Sequence, residues 1–183
     1  MPGTFFGVQL ALDLPVGHDL RDKLSTLVGE SRAATSMIAQ RTCWTRAAML
    51  MNSALPSAQL GTWDLIRDNA ENEYEEWASG VEAMAEWPLA DFGDDGRYVL
   101  LTLIILVEYG SNAALTLGNA CDIAERDWHR RGTYRRLVAV PPTLNLTGVL
   151  GSGLYLAPRP DQAGFSHAVL TGEGFEYLDP VQG

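Results

Sequence analysis

The amino-acid sequence predicts an α+β protein, with helices in the earlier part of the chain and antiparallel strands at the end. Its 183 residues suit one domain built around one hydrophobic core. Apolar residues repeat at helical spacing within about 17–140, whereas about 144–183 holds short β-rich stretches broken by glycine and proline. We therefore expect a single domain over residues 1–183, with the helical part packed on the terminal sheet.

Hydrophobic spacing predicts the first three elements. Alternating apolar residues indicate a half-buried strand near the start of the chain: Val8, Leu10, Leu12 and Leu14. A short helix should follow, capped by Asp19 and ending near Gly29, because Leu20, Leu24, Leu27 and Val28 repeat at helical spacing. A stronger helix signal begins at Thr42, a favourable N-cap, and stops at Pro56.

The negative charge of the chain is concentrated in residues 64–95. This stretch holds eleven carboxylates and one arginine, a net −10, so the rest of the chain sums to zero. Apolar residues spaced by three and four indicate one face of a helix there: Tyr74, Trp77, Val81 and Met84. Its glutamates should then face water. A solvated helix face is the favoured interpretation, and a docking surface for a basic partner is the alternative.

Two further segments precede the predicted terminal sheet. The apolar run 98–109 fits a buried strand or a buried helix, and periodicity does not separate the two. The arginines at 126, 130, 131, 135 and 136 form the one basic cluster, which we expect to balance the acidic helix. After these, residues 148–157, 166–171 and 175–179 read as an antiparallel meander.

Charge and composition exclude several classes of function. Asp plus Glu outnumber Lys plus Arg by 23 to 13, which gives a pI near 4.6 and the wrong sign for binding nucleic acid. Two widely spaced cysteines favour a reducing compartment, and the three histidines lack the spacing of a metal site. We expect no cofactor and no metal.

The sequence also bears on localisation. Residues 98–107 are the most apolar run and are about half as long as a bilayer-spanning helix, so no membrane partner is expected. The first residues lack the basic and apolar regions of a secretory signal peptide. We therefore expect a cytoplasmic protein as synthesised, which could be exported only by an apparatus that needs no such signal.

A histidine and an aspartate are predicted to meet across a hairpin near the end of the chain. If Thr171 faces Phe175 across the loop 172–174, residues whose numbers sum to 346 are paired, and His167 lies opposite Asp179. Side chains in such a pair have Cβ atoms about 4.5–5.5 Å apart. The carboxylate would then orient the imidazole and stabilise its cation, leaving the other ring nitrogen free to accept a proton.

Cys43 is the candidate nucleophile. A helix that begins at Thr42 would place this thiol in its first turn, where the helix dipole and a nearby imidazolium lower the pKa of a thiol. Cys121 has no comparable cap and should be a packed or surface thiol. The residue types and their order therefore predict a Cys43, His167 and Asp179 triad.

The segments around these residues resemble a known family. Gln40-Arg-Thr-Cys43-Trp44 is similar to the Cys-Trp helix opening of papain-like cysteine peptidases, in particular of a bacterial papain-fold group of effector and bacteriocin leader peptidases. The stretches at 153–157, 167–172 and 177–180 resemble three strands of that group. The resemblance implies a papain-like fold with Cys43 as nucleophile, His167 as general base and acid, Asp179 as its orienter and Gln40 in the oxyanion hole.

The expected activity is thiol-dependent acyl transfer. Cys43 would attack a carbonyl, His167 would protonate the leaving amine, and water would release the acyl-enzyme. Peptide hydrolysis is the first expectation, with a protein or peptide substrate that carries a basic segment opposite the acidic helix. Two alternatives stay open: deamidation or transamidation of glutamine by the same triad, and a non-catalytic papain-like module that binds partners through the acidic helix.

Overall fold

The chain folds around one antiparallel sheet. The computed structural model describes residues 2–85, 96–159 and 162–183. The strands are β1 (Gly3–Asp13), β2 (Ala58–Ile66), β3 (Tyr98–Glu108), β4 (Val149–Ala157) and β5 (Asp179–Pro180). They lie in the order β4-β3-β1-β2-β5, and each neighbouring pair is antiparallel. Helices and an antiparallel sheet in one unit make this an α+β protein.

The helices lie between these strands in the chain. They are α1 (Asp19–Ala33), α2 (Met37–Ala54), α3 (Ala70–Ala85), α4 (Asn112–Cys121), α5 (Arg131–Val138) and α6 (His167–Leu170). Short 3₁₀ turns occupy Leu55–Ser57, Glu125–Asp127, Pro141–Thr143 and Leu146–Gly148. Strands β2 and β3 fall within 17–140, so helices and strands alternate, and the predicted division into a helical part and a terminal sheet is wrong.

The two faces of the sheet carry different layers. On one face, Val8 and Leu103 pack against residues of α1, α2, α4 and α5, and we call this the α2 face. On the other, Phe5 and Ile104 pack beneath α3, and Leu100 packs against the segment around α6; this is the α3 face. Strands β1 and β3 are buried on both faces, which explains why residues 98–109 show no period of two.

The start of α2 differs from the prediction. Ser36 is the N-cap, and its hydroxyl accepts a hydrogen bond from the Ala39 N–H at 3.2 Å. Thr42 lies inside the helix and donates its hydroxyl to the Ile38 carbonyl. Cys43 therefore lies in the helix interior, and its predicted place in the first turn is wrong. Helix α1 is capped by His18 in place of Asp19 and continues past Gly29.

The predicted terminal meander is also largely wrong. Only its first strand is present, as β4; residues 167–170 form α6, because Ser166 caps that turn by accepting from the Val169 N–H. The last stretch contributes only β5, which pairs with β2 through Asp179 opposite Gly61. His167 and Asp179 are thus not cross-strand partners.

Helix α3 matches its prediction, and the basic cluster does not. Trp77 and Val81 face the sheet, and four of the five glutamates of α3 are exposed, whereas Glu73 is half-buried. Helix α5 packs on the α2 face, across the sheet from α3, and Arg126 and Arg130 instead form ion pairs with Asp127. No helix in the described ranges has the length and apolar character needed to cross a membrane.

Candidate functional site

The structure does not bring the predicted triad together. Cys43 is 8% exposed and faces the core on the α2 face. His167 is exposed at the start of α6 on the α3 face, with its ring centroid 6.1 Å from that of Tyr98. Asp179 lies at the β2 edge, where its Oδ2 is 3.5 Å from Nε2 of His129. The sheet therefore separates Cys43 from His167, and Asp179 has a different histidine as its partner.

Cys43 and Gln40 do line one cavity. It has a volume of about 230 Å³ and lies between α1, α2 and strand β4. Gln40 Nε2 donates a hydrogen bond to Ser152 Oγ at 2.8 Å, which ties α2 to β4. The described residues around the cavity include no histidine. It therefore offers a thiol and an amide donor without a base to activate the thiol.

The environment of both cysteines favours the neutral thiol. Burial raises the pKa of Cys43, the Glu30 carboxylate raises that pKa further, and Arg46 opposes the shift. Burial also raises the pKa of Cys121 to about 12. A catalytic thiol needs the opposite shift, toward a thiolate near neutral pH.

The raised pKa values of Cys43 and Cys121 predict slow alkylation of both thiols in the native protein. Only the thiolate attacks iodoacetamide, so a raised pKa reduces the reactive fraction at pH 6–8 and leaves the rate rising about tenfold per pH unit through that range. We expect each cysteine to react at least tenfold more slowly in the folded protein than in urea, measured by peptide mass spectrometry. Preferential alkylation of Cys43 at pH 6 would support the triad and contradict this reading.

The His129 and Asp179 pair holds the end of the chain in place. Backbone hydrogen bonds run from the Arg131 N–H to the Gln182 carbonyl and from the Gln182 N–H to the His129 carbonyl, both at 2.8 Å. The Val181 N–H donates to the Gln59 carbonyl at 2.9 Å. These backbone contacts hold the segment after β5 between β2 and the turn before α5, and the His129 and Asp179 side chains lie beside them.

A cleft between α3 and β2 combines acidic, aromatic and buried polar groups. It lies on the α3 face and has a volume of about 320 Å³. Carboxylates come from Asp64 on β2 and from Glu73 and Glu76 on α3. The apolar lining comes from Trp77, Gly80, Val81, Met84 and Tyr177. We call this site the acidic cleft.

The acidic cleft also contains Gln9, a buried polar residue. Gln9 is 2% exposed and lies on β1 between Thr102 of β3 and Thr62 of β2. Its Nε2 donates to Thr102 Oγ1 at 2.7 Å, which directs the amide oxygen away from β3, toward Thr62 and the cleft. None of the described residues donates a hydrogen bond to that oxygen. The cleft thus offers a hydrogen-bond acceptor that no described residue occupies.

Packing and burial shape the walls of the acidic cleft. Trp77 packs edge-on against Phe5, with ring centroids 5.4 Å apart at 60°. Burial raises the pKa of Tyr177 to about 12, so its hydroxyl is neutral at physiological pH. Burial also raises the pKa of Asp64, although the Leu65 N–H donates to its Oδ1 at 3.0 Å and opposes that shift. A bound cation would relieve the cost of holding this carboxylate charged.

Sequence reasoning found one wall of the acidic cleft and missed the rest. The spacing of Trp77, Val81 and Met84 identified the inner face of α3. The residue pattern of β2 does not identify it as a strand, so the sequence groups Asp64 with the acidic helix. A buried glutamine in an apolar strand, Gln9 among Val8 and Leu10, was the available signal.

Within the described ranges, no group of three or more His, Cys, Asp or Glu side chains could hold a metal ion. No family model matches the sequence, and no curated protein or solved structure matches it either.

Proposed function

We propose that the protein is a binding module that recognises a positively charged segment of a partner protein through α3. The observation that carries this proposal is the one-sided charge of that helix. Helix α3 carries five glutamates and no lysine or arginine, the glutamates being Glu71, Glu73, Glu75, Glu76 and Glu82. A surface of one sign attracts and orients a partner of the opposite sign.

The placement of the other charges supports this. Among the described residues, none of the ion pairs involves Glu73, Glu75, Glu76 or Glu82. The arginines of α5 lie on the α2 face, where they do not neutralise α3. These carboxylates are therefore available to a partner, and the aromatic lining of the acidic cleft adds apolar contact beside them.

Thiol-dependent peptide hydrolysis, implied by the papain-like resemblance, is the second candidate. One observation favours it, since Cys43 and Gln40 line the same cavity. The raised pKa of Cys43 and the position of His167 across the sheet count against it. Glutamine deamidation and transamidation depend on the same three residues. The papain-like fold is part of this second candidate function. Binding through α3 has more support than thiol-dependent hydrolysis.

Neutralising part of α3 tests the binding proposal. We expect the triple variant Glu73→Gln, Glu75→Gln, Glu76→Gln to bind a lysine- and arginine-rich peptide about five- to one-hundred-fold more weakly, because each exposed ion pair contributes about 0.3–1 kcal/mol. Fluorescence anisotropy with a labelled peptide at low and high salt measures the loss. Affinity of the wild-type protein should also fall as salt rises.

The matched control removes the same charge elsewhere. The triple variant Asp19→Asn, Asp22→Asn, Glu30→Gln on α1 changes the net charge equally and leaves α3 intact. We expect its affinity for the peptide to stay within about twofold of wild type, since these charges lie on the other face of the sheet. Equal losses in both triple variants, or no binding by the wild-type protein, would overturn the proposal.

A further inference from the structure

We propose that the acidic cleft binds the side chain of a single arginine in the partner segment. This inference rests on the proposed function and adds a specific pocket to it. Its basis is a cavity of about 320 Å³ lined by Gln9, whose amide oxygen accepts no hydrogen bond from the described residues, by three carboxylates and by two aromatic residues. Each of these features points to an occupant that donates hydrogen bonds, carries positive charge and has an apolar stem.

Most of the hydrogen-bonding groups of the cleft are acceptors, although the hydroxyls of Thr62 and Tyr177 can also donate. The oxygen of Gln9 and the carboxylates of Asp64, Glu73 and Glu76 are acceptors. One of the two N–H bonds of the Gln9 amide donates to Thr102. A quaternary ammonium has no N–H group and would leave the oxygen of Gln9 unsatisfied. The occupant is therefore a cation with N–H donors, such as arginine or lysine.

Two features favour arginine over lysine. A guanidinium presents five N–H donors in one plane, which suits acceptors placed on β1, β2 and α3, whereas an ammonium is a compact point charge with three. Trp77 and Tyr177 line the same cleft, and aromatic rings pair with arginine more often than with lysine. The apolar methylenes of the arginine would pack against Val81 and Met84.

Desolvation within the cleft supports a charged occupant. Burial raises the pKa of Asp64, and this carboxylate has only the Leu65 N–H as a hydrogen-bond donor among the described residues. A guanidinium would supply a paired charge and additional donors at that position. Charge-assisted hydrogen bonds of this kind are about twice as strong as neutral ones.

Gly80 provides a way to fill the cleft without disturbing the fold. It lines the cleft, and apart from its chain neighbours and the backbone of its own helix no atom lies within 4 Å of the position that a Cβ would occupy. Gly80→Leu should place its side chain in the space reserved for arginine. Gly80→Ala is the matched control, since it adds one methyl group and leaves most of the space free. Both variants should fold, because both residues favour a helix over glycine.

The experiment compares peptides that differ at one position. The probe is a labelled, amidated glycine peptide with a central arginine flanked by two lysines, with lysine, citrulline or norleucine replacing that arginine in the controls. In the wild-type protein and in Gly80→Ala, we expect the arginine peptide to bind at least fivefold more tightly than the lysine peptide. The citrulline and norleucine peptides should be weaker still. In Gly80→Leu this preference should disappear, while salt-dependent binding remains.

The outcomes separate the two proposals. If Gly80→Leu retains the arginine preference, or if the wild-type protein binds the arginine and lysine peptides equally, the arginine pocket is wrong and binding through α3 still stands. If none of the peptides binds the wild-type protein, the proposed function itself fails. If the wild-type protein and Gly80→Ala prefer the arginine peptide and only Gly80→Leu has lost that preference, both the arginine pocket and binding through α3 are supported.

Discussion

Replacing Arg21 with methionine is expected to lower the free energy of unfolding by about 2–4 kcal/mol. The side chain is fully buried, and its guanidinium donates to three backbone carbonyls, those of Leu14, Arg159 and Gln162. The shortest of these bonds, from Nη2 to the Gln162 oxygen, is 2.6 Å. Methionine fills similar space and donates nothing, so one buried and two partly buried carbonyls would lose their donor.

Urea denaturation of the two proteins measures this loss. The control is Arg32→Met on the same helix, where the arginine is exposed and the expected change is within about 0.5 kcal/mol. A change for Arg21→Met as small as that of the control would show that the carbonyls are satisfied in another way. The account of how α1 is tied to the segment after β4 would then be wrong.

Gly7→Val is expected to destabilise the protein by about 1–3 kcal/mol through overpacking. A Cβ at residue 7 would lie 2.7 Å from Cζ of Phe5 and 2.8 Å from Cζ3 of Trp77. These two rings pack against each other beneath α3, so neither can move away without disturbing its partner. Helix α3 can approach β1 closely because Gly7 has no side chain. The shape of the acidic cleft depends on this close approach.

A glycine with open surroundings provides the control. Gly29 lies inside α1, and nothing lies within 4 Å of its Cβ position. Gly29→Val should change the free energy of unfolding by less than about 0.5 kcal/mol, since valine and glycine differ little in helix propensity. If Gly7→Val proves as stable as this control in thermal and urea unfolding, Trp77 does not pack on β1 as described.

Local pattern was enough to predict several elements. The alternation from Val8 to Leu14 predicted a strand, which the structure confirms as β1, but the prediction that it is half-buried is wrong because β1 is buried on both faces. The spacing from Tyr74 to Met84 reflects burial of one face of α3, and the structure confirms that helix. Strand β2 was missed because Gly61 and Asp64 break its pattern and its outer residues are only partly buried. The hairpin was wrong because a register argument presumes that both segments are strands, and Ser166 instead caps a helical turn.

The candidate site depends on contacts that a local pattern does not contain. Gln9, Asp64, Glu76 and Tyr177 come from β1, β2, α3 and the segment before β5, and only the order of strands in the sheet brings them to one cleft. The same order places Cys43 and His167 on opposite faces. Residue types suitable for a triad were present in the sequence, but the direction in which each faces the sheet was not readable from spacing.

The most direct test of binding through the acidic cleft is a titration of ¹⁵N-labelled protein with the arginine peptide, followed by two-dimensional NMR. If the cleft binds the arginine side chain, the Gln9 side-chain amide and the Trp77 indole N–H show saturable shifts, and both shifts are absent in Gly80→Leu. Shifts confined to residues around Cys43, or no saturable shift at Gln9 and Trp77, would contradict binding through the acidic cleft.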